Sequence, residues 1–527
     1  MGLRRTTADW LLAALALIAI TLLLLDGGGF TYSAAIFAVS CGAAAVVIFT
    51  RGRRGLWAFV LPGLGVLHLL PLGPMAVETL RPSDAWLWAA MGDAGISTPS
   101  MLSSYPFETV RSVLQFAGYA SLFVIVANIR YDKAKRWLLC GIVALGLWQA
   151  LNGTAQYLAA RTSESETAAP AHGSFVSRNH FAAFLEGAVG AGLALAGGGV
   201  LPAAATMGLF AGIALSYSRA GIVLVALVLV VWALRRRKPW LACGTALAVL
   251  GIGAGLYGFS DRFAALGDDL RVPVWRDSVT ILDDSPLAGS GLGTFPYTFA
   301  RTQMYLPRKT IEHAHNDYLE FGIELGLPAT LLGLGFIAFA ARRAYVSNFG
   351  CFLGAASILA HAAVDSPMHA PAVAALVAVL LALGASEVEV TPARFGAVVP
   401  ASFAITAALF AAGIFSPWDA TTHLAEFQQA LVAGDDATAA ISLRRALESN
   451  PRSAVLWIHA ALLSERRGDL SRSKRQLEVA RRLEPLTFKT EWAWAEFHRR
   501  NLDVEEARQA FARLVANMPE MAAAVGP

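Results

Sequence analysis

WLLAALALIAITLLLL, residues Trp10–Leu25, decides what kind of chain this is. Arg4 and Arg5 stand before it, the layout of a secretory signal peptide. No convincing small-residue cleavage site follows, and further apolar runs of about 15 to 22 residues recur as far as residue 415, each near the length that crosses roughly 30 Å of hydrocarbon. The stretch therefore reads as the first of many membrane helices. Composition agrees: hydrophobic residues make up 56%, charged residues 15%, and mean hydropathy is +0.53. That balance excludes the several soluble domains that 527 residues would otherwise allow.

Worked outward, the same reading gives spans at 10–25, 33–49, 56–72, 109–127, 137–157, 180–197, 202–217, 219–234, 240–258, 318–341, 349–364, 372–385 and 398–415. The expected fold is all-α: a polytopic bundle of twelve or thirteen spans over 1–415, with a large extracytoplasmic loop at 259–317. Basic clusters at Arg4-Arg5, Arg51–Arg54, Arg130–Arg136, Arg235–Lys238 and Arg342-Arg343 are separated by even numbers of spans. Placing them all in the cytoplasm satisfies the positive-inside rule. The loops at 74–108, 159–179 and 259–317 then face outward, with the short Asp365–Pro371. Because these basic residues sit tight against apolar runs, they are topology signals rather than a nucleic-acid surface. Cys41, Cys140, Cys243 and Cys351 all fall inside apolar runs and give neither a disulfide framework nor a metal site.

The tail is a different material. Pro417, Pro451, Pro485 and Pro519 recur every 34 residues, and Gly434-Asp435, Gly468-Asp469 and Leu502-Asp503 keep the same step. Such a period, with Pro closing each unit and Gly-Asp at the turn between helices, resembles the tetratricopeptide repeat. Three helix pairs over 417–527 form the expected α-solenoid, a surface for an envelope protein partner. Thirteen spans put it on the same side as the long loop; without the span 398–415 it falls in the cytoplasm.

The chemistry-bearing residues gather where that loop re-enters the membrane, at His313-Ala314-His315-Asn316-Asp317-Tyr318-Leu319-Glu320. The two histidines lack the i,i+4 spacing of a helical zinc motif, and no further pair of ligands is evident, so no metal is expected. A histidine near its unperturbed pKa takes a proton from a hydroxyl instead. Asp317, Glu320 or Glu324 would orient it, with His313 beside it; the competing reading has both histidines merely capping the helix that starts near Asn316. Arginines come from three outward segments: Arg219 after Ser218, Arg271 and Arg276 around Trp275, and Arg178 before Asn179 and His180. Guanidinium groups match phosphate oxygens in pairs and keep their charge, which points to an anionic group such as a diphosphate. Gly289-Ser290-Gly291-Leu292-Gly293-Thr294 lacks the Gly-Lys-Ser/Thr of a P-loop and reads as a flexible turn.

The order of these pieces carries a resemblance. Phe175–Ala182, Ser218-Arg219, Arg271 with Trp275, Pro286–Gly293, and His315-Asn316 followed by Gly326 resemble the O-antigen ligase and polymerase superfamily of bacterial envelope glycosyltransferases, over roughly residues 100 to 385. Ser177 stands where that family often has Asn. The resemblance implies metal-independent, inverting transfer of a glycan from an undecaprenyl diphosphate carrier to an acceptor hydroxyl, with no cofactor. Arg219 and Arg271 would hold the donor diphosphate, Arg276 and Arg178 would add charge, and His315 would be the base. His313, Asn316, Asn179, Asp317 and Glu320 would support it. The implied place is the outer face of the bacterial inner membrane, and the implied acceptor is lipid A core, another glycan or a protein. Polymerisation and protein O-glycosylation stay open at this stage. So do two readings of another class, a transporter of lipid-linked glycans and an envelope scaffold.

Overall fold

The computed structural model describes residues 2–27, 33–51, 55–97, 101–162, 170–196, 200–237, 271–302, 311–385, 394–485 and 487–517, and every regular element among them is helical. First come α1 (Gly2–Leu25), α2 (Ser33–Arg51), α3 (Val60–Val66), α4 (Pro74–Leu80) and α5 (Ala85–Asp93). Then follow α6 (Pro106–Ala127), α7 (Asp132–Thr162), α8 (Arg178–Leu195), α9 (Val200–Leu215) and α10 (Arg219–Arg235). Past the expected span 240–258, which lies outside the described residues, are α11 (Arg271–Asp284), α12 (Phe295–Phe299) and α13 (Asp317–Leu325). α14 (Leu327–Ser347), α15 (Phe349–His361), α16 (Pro371–Ala385) and α17 (Val398–Ala411) complete the apolar part.

Among the described residues, α1 from Thr6, α6, α7 and α14 are long and apolar enough to cross a membrane, with a fifth if Leu56–Leu69 and Pro74–Leu80, bent by 115°, count as one. α2, α9, α15, α16 and α17 are apolar but offer only 10–17 such residues each. The expected span 318–341 is two helices, because Gly326 at φ +80° ends α13 and starts α14. A Cβ there would lie 2.3 Å from the Leu287 carbonyl oxygen. Large apolar side chains such as Leu11 and Ile18 on α1, Leu151 on α7 and Leu331 on α14 point outward, the face that lipid tails cover without loss.

One contact decides where the site forms. Gly190 on α8 meets Gly354 on α15, where a Cβ would sit 2.3 Å from backbone, and Gly350 meets Ala194 one turn away. Small residues let the two backbones approach, and the pairing order makes the helices antiparallel. Followed along the ladder, Glu186 receives hydrogen bonds from Ser357 and His361 at 2.7 Å each. The start of α8 thereby arrives beside the loop that leaves α15. The glycine-rich turn is no free hinge: Gly291 N–H donates to Glu324 C=O at 2.8 Å and Leu327 N–H to Pro286 C=O at 2.8 Å. It packs onto the end of α13 and satisfies carbonyls that a helix end leaves open.

The tail forms α18 (Ala420–Val432), α19 (Asp436–Ser449), α20 (Ala454–Arg466), α21 (Leu470–Leu483), α22 (Phe488–Arg500) and α23 (Val504–Asn517). Corresponding helices start 34 residues apart, at Ala420, Ala454 and Phe488, and at Asp436, Leu470 and Val504. Asp419, Asp435 and Asp469 cap α18, α19 and α21 through their carboxylates. These helices rest on the segment before α6: Phe427, Leu443 and Trp457 share an apolar core with Val77, Trp88 and Tyr105. Tyr105 donates to Asp419 at 2.9 Å. Asp84 is ion-paired to Arg452 of the tail, to Arg81 at 2.6 Å and to Arg301 at 3.8 Å.

Candidate active site

Asn316 opens α13 as its N-cap, accepting from the N–H groups of Tyr318 and Leu319 at 3.1 Å each. The residue before it, His315, has φ +52°, a left-handed conformation that costs a non-glycine residue roughly 1–2 kcal/mol. The twist turns its imidazole off the helix. Nδ1 lies 3.3 Å from Asp365 Oδ1, and the ring is 41% exposed. Trp275 Nε1–H donates to the His315 carbonyl at 3.3 Å, which fixes the turn from the α11 side.

Asp365, almost fully buried, is the hub. Arg271 Nη2 reaches its Oδ2 at 3.0 Å. Asn179 Nδ2 donates to the same oxygen, and Ser366 N–H to Oδ1 at 2.8 Å. Burial pushes this carboxyl up, but the His315 hydrogen bond and the charges of Arg271, His315 and His180 outweigh it and hold it well below the usual carboxylate range. Four segments that are remote in the chain thus meet on one charge: the start of α8, the start of α11, the turn before α13 and the loop after α15.

Arg219 is the first residue of α10, exposed, with Ser218 as N-cap. Two residues on, Gly221 lies against Ala182 and Glu186 of α8, so Arg219 and Arg178, each at the start of its helix, emerge at the same end of the bundle. Tyr217, just before Ser218, is also left-handed, at φ +55°, and its hydroxyl meets that of Tyr157 at 3.0 Å. Strained backbone of this kind gathers at working sites. Arg276 differs: its side chain is 70% exposed and meets its neighbour Asp277 at 3.4 Å.

The expected supporting carboxylates need correction. Asp317 and Glu320 do not orient His315, because α13 carries them onto another face. Asp317 accepts from His369 Nδ1 at 2.8 Å and from Met368 N–H at 2.9 Å. Glu320 Oε1 faces His313 Nδ1 and His369 Nε2 at 3.0 Å each, while Oε2 accepts from Ala314 N–H at 2.7 Å. Burial opposes charge on both partners, yet Glu320 is held low by His369 and His313, and His369 high by Glu320 and Asp317. Glu324 instead caps α12 by accepting from Phe295 N–H at 2.9 Å. The carboxylate on His315 is Asp365, which sequence reasoning passed over, as it did His369. The one signal was that both fall in the short polar break Asp365–Pro371 between apolar runs. His313, Glu320 and His369 offer three donor atoms within 4.8 Å of one another, enough for a metal ion.

Residues 204–334 match the family model described as O-Antigen ligase. The match supports the O-antigen ligase superfamily for that part of the chain, and with it a glycan-transfer function at a membrane. No curated protein matches the chain. The matched stretch holds Arg219, Arg271, Arg276, His313 and His315 but stops short of Asp365 and His369, and begins after Asn179.

Proposed function

We propose that this protein transfers a glycan from a polyprenyl diphosphate carrier, of the undecaprenyl kind, to an acceptor hydroxyl at the outer face of the bacterial inner membrane. The observation that carries the reading is the Arg271–Asp365–His315 chain of contacts, inside and beside the stretch that matches the ligase family. His315 is the base. It accepts the hydroxyl proton through its exposed edge while Asp365 holds Nδ1 and stabilises the imidazolium that results. The attacking oxygen bonds to the anomeric carbon as the bond to the diphosphate breaks, with inversion. The diphosphate leaves with its electron pair, and Arg271 and Arg219, with Arg178 nearby, bind its oxyanions. Guanidinium charge does there what a metal ion does in other glycosyl transfers, so the transfer step itself calls for none. An apolar cleft lined by Trp57, Tyr119, Phe123, Tyr318 and Phe336 reaches Asp317 and Met368 and suits an isoprenoid chain or a lipid acceptor. Arg276 is left as a solvated charge.

Ligation to lipid A core is the leading form of the reaction. The helix pairs of the tail read as a tetratricopeptide-like array on the same side as the site. Purified protein incubated with undecaprenyl-diphosphate glycan and acceptor should form a glycosidic bond, lost in His315→Ala and impaired in Arg219→Lys at unchanged expression. Wild-type turnover in either variant removes that residue from the site; no bond formation by the wild type favours a transporter. In a deletion strain, uncapped core with accumulated lipid-linked polymer marks a ligase, and single-unit core marks a polymerase.

A further inference from the structure

Beside the Asp365 hub lies a second cluster that the transfer reaction leaves unused. His313 Nδ1 and His369 Nε2 both face Glu320 Oε1 at 3.0 Å. Asp317 Oδ1 stands 2.8 Å from Nδ1 of His369, so that nitrogen carries a proton, and Nε2 faces Glu320 either with a second proton or with its lone pair. One carboxylate oxygen therefore confronts two ring nitrogens. Lone pairs approach to 3.0 Å only with something positive between them: a proton on each ring, or one cation shared by all three.

The donor set favours the cation. Two imidazoles and a carboxylate, with a further carboxylate fixing one imidazole from behind, is the nitrogen–oxygen shell of zinc and its first-row neighbours. Calcium and magnesium take oxygen instead. Tetrahedral bonds of roughly 2.05 Å put donors near 3.3 Å apart, close to the two 3.0 Å separations from Glu320 Oε1, and all three donor atoms lie within 4.8 Å of one another. Glu320 is buried, whereas His313 is 30% exposed and leaves a way in for an ion and its water ligand.

We propose that His313, Glu320 and His369 form a divalent transition-metal site, zinc by its donors, that clamps the segment bearing His315 to the segment bearing Asp365. His313 precedes His315 by two residues, and His369 follows Asp365 by four. An ion joining them fixes the distance between the two side chains of the hub. It displaces the ring protons and leaves the diphosphate to the arginines, so the site stands or falls independently of the glycan-transfer reading.

The test uses the full-length protein in detergent, purified without chelator and without a histidine tag. Elemental analysis should find one zinc per chain, kept in His315→Ala and lost in Glu320→Gln and His313→Ala. The latter removes a partly exposed ring, and its helix content and melting temperature, compared with wild type, separate metal loss from unfolding. After chelation, cobalt(II) should restore one equivalent with visible ligand-field absorption in the wild type and none in His313→Ala. Folded wild type holding under about a tenth of an equivalent, with no cobalt band, overturns the proposal and leaves protons in the site. Equal zinc in wild type and both variants overturns it as well, by putting the ion elsewhere.

Discussion

Asp365→Asn changes one atom and removes the charge that His315, Arg271 and Asn179 share. Shape is kept, which makes the loss readable. An amide offers one oxygen, so its NH₂ must confront Arg271 and Asn179, both donors, or the His315 ring. A hydrogen bond to a charged group contributes about 1.5–3 kcal/mol. The Arg271 contact is one quarter exposed and the His315 ring more so, which argues for the lower part of that range per contact. A combined loss of roughly 2–3 kcal/mol in transition-state stabilisation corresponds to about 30- to 150-fold in kcat/KM. The assay is transfer from undecaprenyl-diphosphate glycan by purified protein, with donor affinity measured separately. The fall should lie mainly in kcat, since His315 is mis-aimed, with a smaller weakening of donor binding through Arg271. Activity within threefold of wild type, at an unchanged melting temperature, would show that Asp365 neither orients the base nor anchors the arginine.

Arg276→Ala should leave kcat/KM within twofold, since that side chain is 70% exposed; a tenfold loss would put it on the donor. Gly190→Ala puts a methyl 2.3 Å from Gly354 Cα, which should cost about 1–3 kcal/mol by overpacking and spread the hub, read as a lower melting temperature together with lower turnover. Asp84→Asn leaves Arg81 and Arg452 buried without their counter-charge, a loss of about 3–5 kcal/mol, so amide exchange in α18–α21 should rise while α22 and α23 change little; unchanged exchange would refute the docking. The same contact gives a pH dependence: burial raises the Asp84 carboxyl, but Arg452, Arg81 and Arg301 overcome that and hold it at about 2, below the ordinary 3.8. Its stabilisation is therefore complete above the ordinary value and drains away as pH falls from there through 2, which exchange measured across that window checks.

The parts of this molecule written in local spacing could be read from sequence. The 34-residue step of the prolines is the step at which the tail helices start, and Asn316 begins a helix because Asn is a strong N-cap. The arginines stood out because charge at a membrane boundary is costly. Asp365 did not, because Asn179, Arg271 and His315 come to it from three other segments and their meeting depends on α8 and α15 crossing at Gly190 and Gly354. No periodicity along the chain encodes that pairing. The carboxylates nearest His315 in sequence were misassigned for a related reason: Asp317 and Glu320 lie on a helical face whose direction is set by the left-handed turn at His315, and that turn is not visible in residue order. The expected span 318–341 divides into two helices because Gly326 breaks an apolar run that composition alone joins.

The repeats bear on the site by a route that a free recruiting arm would lack. Arg301 is bonded to Asp284, the last residue of α11, and lies 3.8 Å from Asp84, which also holds Arg452 of the tail. Arg271 is the first residue of that same α11. A helix of 14 residues is stiff on this scale, so displacement of its far end tilts the end that carries Arg271. Asp84 is therefore shared between the tail and the mount of a candidate diphosphate ligand, and Asp84→Asn should lower turnover even though no atom of residue 84 meets the substrate. If exchange in the tail rises while transfer stays at the wild-type rate, then α11 is held by Trp275 and Asp365 alone and the repeats are mechanically separate from the chemistry.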